Sequence, residues 1–372
     1  MKTMKKYSFI LPLLGVLGLA SCDNGLHQDL SEAGVAVITD DQVKYEGNIL
    51  AVKKGTPIVF RLAGNPDYIT FFSGEVAHQY KYHNRQEIDE ADIAECNLEF
   101  KLAVPNAGDA SSCKNQLDIL YQVEEVNEET GEVVTPAFPG LSKSNFEADS
   151  ILVEKGTEWK TLVPREQLPQ NKNANVTCSV SLKEFIGRKM TLAIVLNRDK
   201  VEVMVTNPET GKPWTNVQSQ FGFTSLRIET IWKNGRVTNS YAAAFGFTPL
   251  NMDCRKGYDD QKKVLVGGYG SVSTGTPGLW TLSGAGTGNV TIGATQRGEK
   301  WKYSWLVSDY LNLTECRTTD QGVLVKEISQ NPDTYTYTYD KVGTYTATFL
   351  MKNANYDYNE SKIQEFIINV TE

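Results

Sequence analysis

The chain has 372 residues, 40% of them hydrophobic and 22% charged, with a formal net charge of −8 and a pI near 5.2. That is apolar enough to bury a core, so the chain is not disordered, and its length predicts about two or three domains. The acidic balance and the lack of a dense Lys/Arg run argue against a nucleic-acid partner, and three His are too few for a site built on imidazole.

In chain order, the first 21 residues carry Lys2, Lys5 and Lys6, then an apolar stretch, then small residues before Cys22. This is the charge, core and cleavage pattern of a signal peptide. No later apolar run is long enough to span a bilayer. The tetrad Leu19-Ala20-Ser21-Cys22 resembles a bacterial lipobox, which implies cleavage before Cys22 and acylation of that residue. Several acyl chains make a stable membrane anchor. Removing residues 1–21 takes away three Lys and no acid, which moves the net charge from −8 to −11. Residues 22–34 read as a polar tether.

Beyond the tether, strand signals dominate. Residues 49–62 read as strand, Lys-Gly turn, strand. Further strands are expected at 97–104, 117–124, 189–196, 201–206, 225–232, 264–269, 301–307, 335–339, 344–351 and 364–370. Turn clusters at 127–131, 207–213, 234–235 and 284–288 punctuate them. Only residues 88–95 and 181–186 read as short helices, the second with Ser181 as N-cap and Glu184 at N3. Short strands with frequent turns predict an all-β, multi-domain sandwich protein. Five Cys follow Cys22, an odd number with no C-x-x-C spacing; Cys96 and Cys113 either pair or are buried free thiols.

Residues 333–370 resemble the last strands of a PKD-type immunoglobulin-like domain through Tyr339, Gly343, Tyr345 and Phe349. Gly55, Ile58 and Phe60 resemble the opening strands of the same domain. Neither segment is long enough to bury much surface alone. Residues 35–88 and 316–372 are therefore expected to form one discontinuous immunoglobulin/PKD-like domain, with 89–315 inserted as a jelly-roll β-sandwich. Three domains in line are the alternative. Within the insert, Trp159-Lys-Thr-Leu, the segment from Ser181 to Ile194, and Trp305-Leu-Val-Ser308 resemble jelly-roll modules of bacterial surface proteins. Such proteins carry a motif like 64–75 (GNPDYITFFSGE), with His78, Tyr80 and Arg85 downstream.

Together with the lipobox, the chain resembles Bacteroidetes surface lipoproteins of the glycan-utilisation-locus type. The resemblance implies an outer-membrane, lipid-anchored, surface-exposed protein. It also implies an oligo- or polysaccharide ligand and an outer-membrane glycan transporter complex as partner. Asp149-Ser150-Ile151 fits the short O-glycosylation motif of that phylum.

The acidic pairs Glu124/Glu125, Glu128/Glu129 and Asp259/Asp260 are neighbours that a strand would point to opposite faces, so they make no glycosidase dyad. Phe-Phe-Ser73-Gly is not a nucleophile elbow, and Ser73, Glu75, His78 and Arg85 read as a polar cluster fixing a turn. His78 and His83, five apart, are a poor metal pair. No resident metal or cofactor is expected, although Asp40-Asp41 and Asp253/Asp259/Asp260 offer carboxylates for a structural Ca²⁺ without EF-hand spacing.

Aromatic residues carry the binding expectation, because a sugar offers an apolar face that a flat ring covers and a rim of hydroxyls. Trp159 and Trp305 fall on strand motifs and read as core, while Trp232 ends an apolar strand before Asn234-Gly235. Trp214 and Trp280 fall in Gly/Pro-rich loops, Tyr258 and Tyr269 precede the latter, and Trp301 follows a polar turn. These five are the expected glycan-binding residues. The expected function is a non-catalytic glycan-binding lipoprotein that captures a saccharide for import. The alternative is a structural or adhesive lipoprotein that binds a protein partner.

Overall fold

The structure is a computed structural model. It describes residues 30–105, 113–127, 129–196, 211, 219–252, 258–259, 264–265, 269–271, 279–294, 303–316, 318–354 and 359–372. The chain divides into two compact units. A terminal unit joins the segment ending at His83 to Asp320–Glu372, and a central unit runs from Asn84 to Thr319. Both are all-β sandwiches.

In the terminal unit, a three-stranded sheet places Pro57–Ala63 between Gly34–Ile38 and Thr334–Thr338. The second sheet has six strands, in the order Val43–Glu46, Ile49–Lys53, Asn359–Thr371, Gly343–Ala354, Tyr68–Phe72 and Val323–Lys326. Strands from both ends of the chain thus lie side by side in both sheets. The last long strand pairs in parallel with Ile49–Lys53, with Ile368 opposite Leu50. The sheets are joined by aromatic rings: Phe60 lies 4.9 Å from Phe349 and 5.8 Å from Phe71, and Tyr335 and Tyr337 each lie 5.0 Å from Phe71. Alternation along Gly343–Ala354 puts Ala347, Phe349 and Met351 in this core and the intervening threonines on the other face.

The central unit has an antiparallel five-stranded sheet, in the order Lys160–Val163, Leu117–Val123, Met190–Leu196, Ser304–Val307, Thr248–Asn251. The facing sheet runs Asn175–Ser181, Ile93–Ala103, Phe221–Trp232, Val290–Ile292, Trp280–Thr281, with Val237–Tyr241 also paired to Phe221–Trp232. The chain crosses between the two sheets repeatedly, for example from Ile93–Ala103 to Leu117–Val123 and from Met190–Leu196 to Phe221–Trp232. Leu98, Phe100, Phe223, Leu192, Ile194 and Leu306 meet in the core between them.

A second core lies on the outer side of the five-stranded sheet. There Ala193, Val195, Leu250, Trp305 and Val307 pack with Phe138 and with Val153 of the helix Phe146–Lys155. Every residue of Met190–Leu196 is therefore buried, as expected of a continuous apolar run covered on both faces. The helix starts where the Asn145 side chain accepts from the Ala148 N–H, carries Glu147 and Asp149 in its first turn and Lys155 in its last, and stops at Gly156.

Neither expected helix forms as such. Residues 88–95 hold a single 3₁₀ turn, Glu90–Asp92, before the strand beginning at Ile93, and 181–186 hold only Lys183–Phe185. The expected strand at 201–206 lies outside the described residues. Cys96, Cys113, Cys178 and Cys316 are free and buried, and burial pushes the Cys96 and Cys113 thiols up to about 11. No Cys96–Cys113 disulfide forms.

Candidate functional site

The structure separates the expected glycan-binding aromatics. Trp280 is fully buried in the main core of the central unit, and its indole N–H donates to Ser304 Oγ at 3.0 Å. It offers no face to a ligand, because the short strand Trp280–Thr281 pairs with Val290–Ile292 and turns the side chain inward. Tyr269 belongs to the other core, edge-on to Phe146 at 5.5 Å, with its hydroxyl donating to Asp149. Burial, reinforced by that carboxylate, raises the Tyr269 hydroxyl well above the ordinary tyrosine range. Tyr258 lies on the two-residue strand Tyr258–Asp259. Trp214, Trp301 and the lipidation residue Cys22 lie outside the described residues. Trp159 and Trp305 sit 5.7 Å apart in the outer core. Trp232 is buried beneath two guanidinium groups, Arg85 at 4.1 Å and Arg236 at 4.7 Å.

Asp149 and Ser150 are buried, and the Ser150 hydroxyl donates to the Glu147 carbonyl at 2.9 Å. The folded chain therefore hides the expected O-glycosylation serine. Asp149 instead accepts from Ser142 N–H at 2.9 Å, Ser142 Oγ at 3.0 Å, Lys143 N–H at 3.0 Å and Tyr269. Burial raises its carboxyl, but these hydrogen bonds outweigh burial and hold it below the ordinary aspartate value. Asp40 caps a turn by accepting from the Gln42 and Val43 N–H groups. Among the described residues, no three His, Cys, Asp or Glu side chains converge on a metal-sized space.

The motif at 64–85 does mostly structural work. Asp67 accepts from the Ala354 N–H at 3.0 Å and donates its own N–H to Asn353 at 2.8 Å. Buried Lys326 donates to Asn65 and to the Pro66 carbonyl. The Ser73 hydroxyl donates to Glu75 at 3.0 Å, Tyr337 donates to the same carboxylate, and Tyr339 donates to the Ser73 carbonyl at 2.6 Å. Burial and the Glu75 contact push the Tyr337 hydroxyl up to about 12. His78 Nδ1 meets the Gln321 carbonyl at 2.7 Å, while the Ser73 hydroxyl is engaged with Glu75.

The same motif walls a cleft of about 290 Å³ on the outer face of the six-stranded sheet, at the small end of ligand pockets. Its floor is Thr344, Thr346, Thr348 and Glu365, with Thr348 Oγ1 donating to Glu365 at 3.3 Å. Its wall is Gln79, Tyr80 and Lys81. The Tyr80 ring stacks on His83 at 4.3 Å and 13° and meets the edge of Phe72 at 5.4 Å, which fixes its orientation. Gly74 closes one end. Its φ is +82°, and a Cβ there would lie 2.5 Å from the Thr346 carbonyl oxygen, so only glycine lets the wall sit so close to the floor. The threonines read from the sequence only as a strand, and Tyr80 only as part of a motif. An aromatic ring with polar side chains at its edge occurs here, whereas Trp232, Trp280 and Trp305 are buried.

A family model described as a domain of unknown function (DUF5017) matches residues 36–128. The match takes in the cleft wall at 74–81 but not its floor at 344–365. No curated protein matches the chain significantly.

Proposed function

We propose that this chain is a non-catalytic glycan-binding lipoprotein, anchored through Cys22 at the outer membrane surface, and that the Tyr80 cleft receives a sugar unit. The observation that carries this reading is the composition of the cleft. A ring held by His83 and Phe72 stands beside an ammonium, an amide, hydroxyls and a carboxylate, over a volume of about 290 Å³. The ring covers the C–H face of a pyranose, while Glu365, Gln79 and the threonines exchange hydrogen bonds with its hydroxyls. The pattern Leu19-Ala20-Ser21-Cys22 supports the anchor and export. A saccharide held there would be passed to an outer-membrane glycan transporter.

Calorimetric titration against a panel of host and plant polysaccharides tests the reading. Stacking a nucleobase on an aromatic ring is worth on the order of 1–3 kcal/mol, and a sugar ring is taken near the low end. Tyr80→Ala is thus expected to weaken binding about tenfold or more, with circular dichroism showing that the variant still folds. Equal affinity in the wild type and in Tyr80→Ala and Glu365→Gln variants would remove the cleft from the site. Binding to no glycan, with capture of a surface protein instead, would favour the adhesive role. Cys22→Ala is expected to move the protein out of the membrane fraction.

A further inference from the structure

Sheet edges offer unpaired backbone groups to any passing strand, and folded proteins blunt them with charges, prolines, bulges or short strands. The central unit does this at most of its edges. Lys160–Val163 has a register shift and a lysine held by Glu125. Thr248–Asn251 contains Pro249, and Trp280–Thr281 is two residues long. Val237–Tyr241 has the turn Ala285–Thr287 packed against it.

Asn175–Ser181 is different. It is the outermost strand of its sheet and pairs with Ile93–Ala103 over seven consecutive residues without a bulge. It holds neither a charged residue nor a proline. Among the described residues, no other strand pairs with it. Val176 and Val180 face the core, yet both stay partly open to solvent, while Cys178 between them is buried.

The order of side chains along this edge is nearly the same in both directions about Cys178. Val176 and Val180 lie two residues either side of it on the core face, and Thr177 and Ser179 lie one residue either side on the exposed face. We propose that this edge pairs antiparallel with the same edge of a second copy, about a two-fold axis at Cys178. In that register Val176 faces Val180 of the second copy, Thr177 faces Ser179, and Asn175 faces Ser181. Apolar side chains meet apolar ones, and hydroxyls meet hydroxyls. Core faces stay on one side of the continuous sheet, which a one-residue slip would not allow. The pairing is isologous, so it closes at two copies and does not propagate into a fibre.

The inference is independent of the sugar reading and is tested on the full chain in detergent by sedimentation velocity over a range of concentrations. The wild type is expected to shift from monomer to dimer as concentration rises. A Thr177→Lys, Ser179→Lys variant places like charges opposite each other twice, and self-association is expected to weaken about tenfold or more. A Thr177→Glu, Ser179→Glu variant is expected to behave in the same way. An equimolar mixture of the two is expected to regain the dimer, since each lysine then faces a glutamate. Unchanged circular dichroism of both variants shows that the strand still folds. A wild type that stays monomeric at every concentration overturns the proposal. So does a dimer that both variants keep, or a mixture that stays monomeric.

Discussion

The two sandwiches bury their sheets differently. In the terminal unit, the last strand, Asn359–Thr371, hides Ile368 and Val370 while Ile363 and Ile367 stand exposed on the opposite face. The Tyr80 cleft is built on that outer face. In the central unit, Met190–Leu196 is buried at every position, because the helix and the Phe138 and Trp159 segments add a third layer. A strand that alternates reports one covered face, and a strand that does not reports two. The terminal unit gains a usable outer surface from its thinner construction, and the central unit gains a second core.

The largest break of this comparison is truncation before Gly343. It removes two central strands of the six-stranded sheet, together with Phe349 and Ile368. The terminal unit is expected to lose its fold, read as lost amide protection at 49–53 and 68–72 in hydrogen exchange, while the central unit keeps its protection at 190–196. Protection retained at 49–53 would mean that the N-terminal strands stand without the C-terminal ones.

Next in size is Trp280→Ala. As a fully buried indole with an engaged N–H, its loss is expected to cost about 3–5 kcal/mol and to lower the calorimetric transition of the central unit alone. A variant that melts like the wild type would place Trp280 outside the core.

The smallest effect concerns Asp149. Its folded carboxyl lies below the ordinary value of 3.8, so its contribution is fully present above that pH. The contribution is lost as pH falls through the folded value. Asp149→Asn is expected to cost the central unit about 1–3 kcal/mol at neutral pH, because a buried acceptor of several hydrogen bonds is replaced by an amide that cannot accept them all. The variant is also expected to flatten the acid limb of the central unit's stability profile below pH 4, leaving that of the terminal unit unchanged. An acid limb equally steep in the variant would assign that dependence to other groups.

Much of the strand content was readable because alternation and turn chemistry are local. Phe60 and Phe349, singled out in strand patterns near opposite ends of the chain, meet at 4.9 Å. The helix Phe146–Lys155 has Asn145, an acidic first turn and Gly156 as local signals, but it covers a sheet and has little apolar periodicity of its own to announce it. The Gly, Thr and Pro residues before Trp280 signal a loop, while its pairing with Ile292 is a contact that neighbouring residues do not encode. Tyr80 lacked a local signal for the same reason: its cleft needs threonines more than 260 positions away.

By itself, then, the sequence determined the class of the molecule: alternating β-branched and aromatic residues with frequent turns make sandwiches. Only the tertiary structure decided which aromatic rings are covered and which strands pair with which. Periodicity shows that the two faces of a strand differ. What lies against each face depends on pairings made across hundreds of residues.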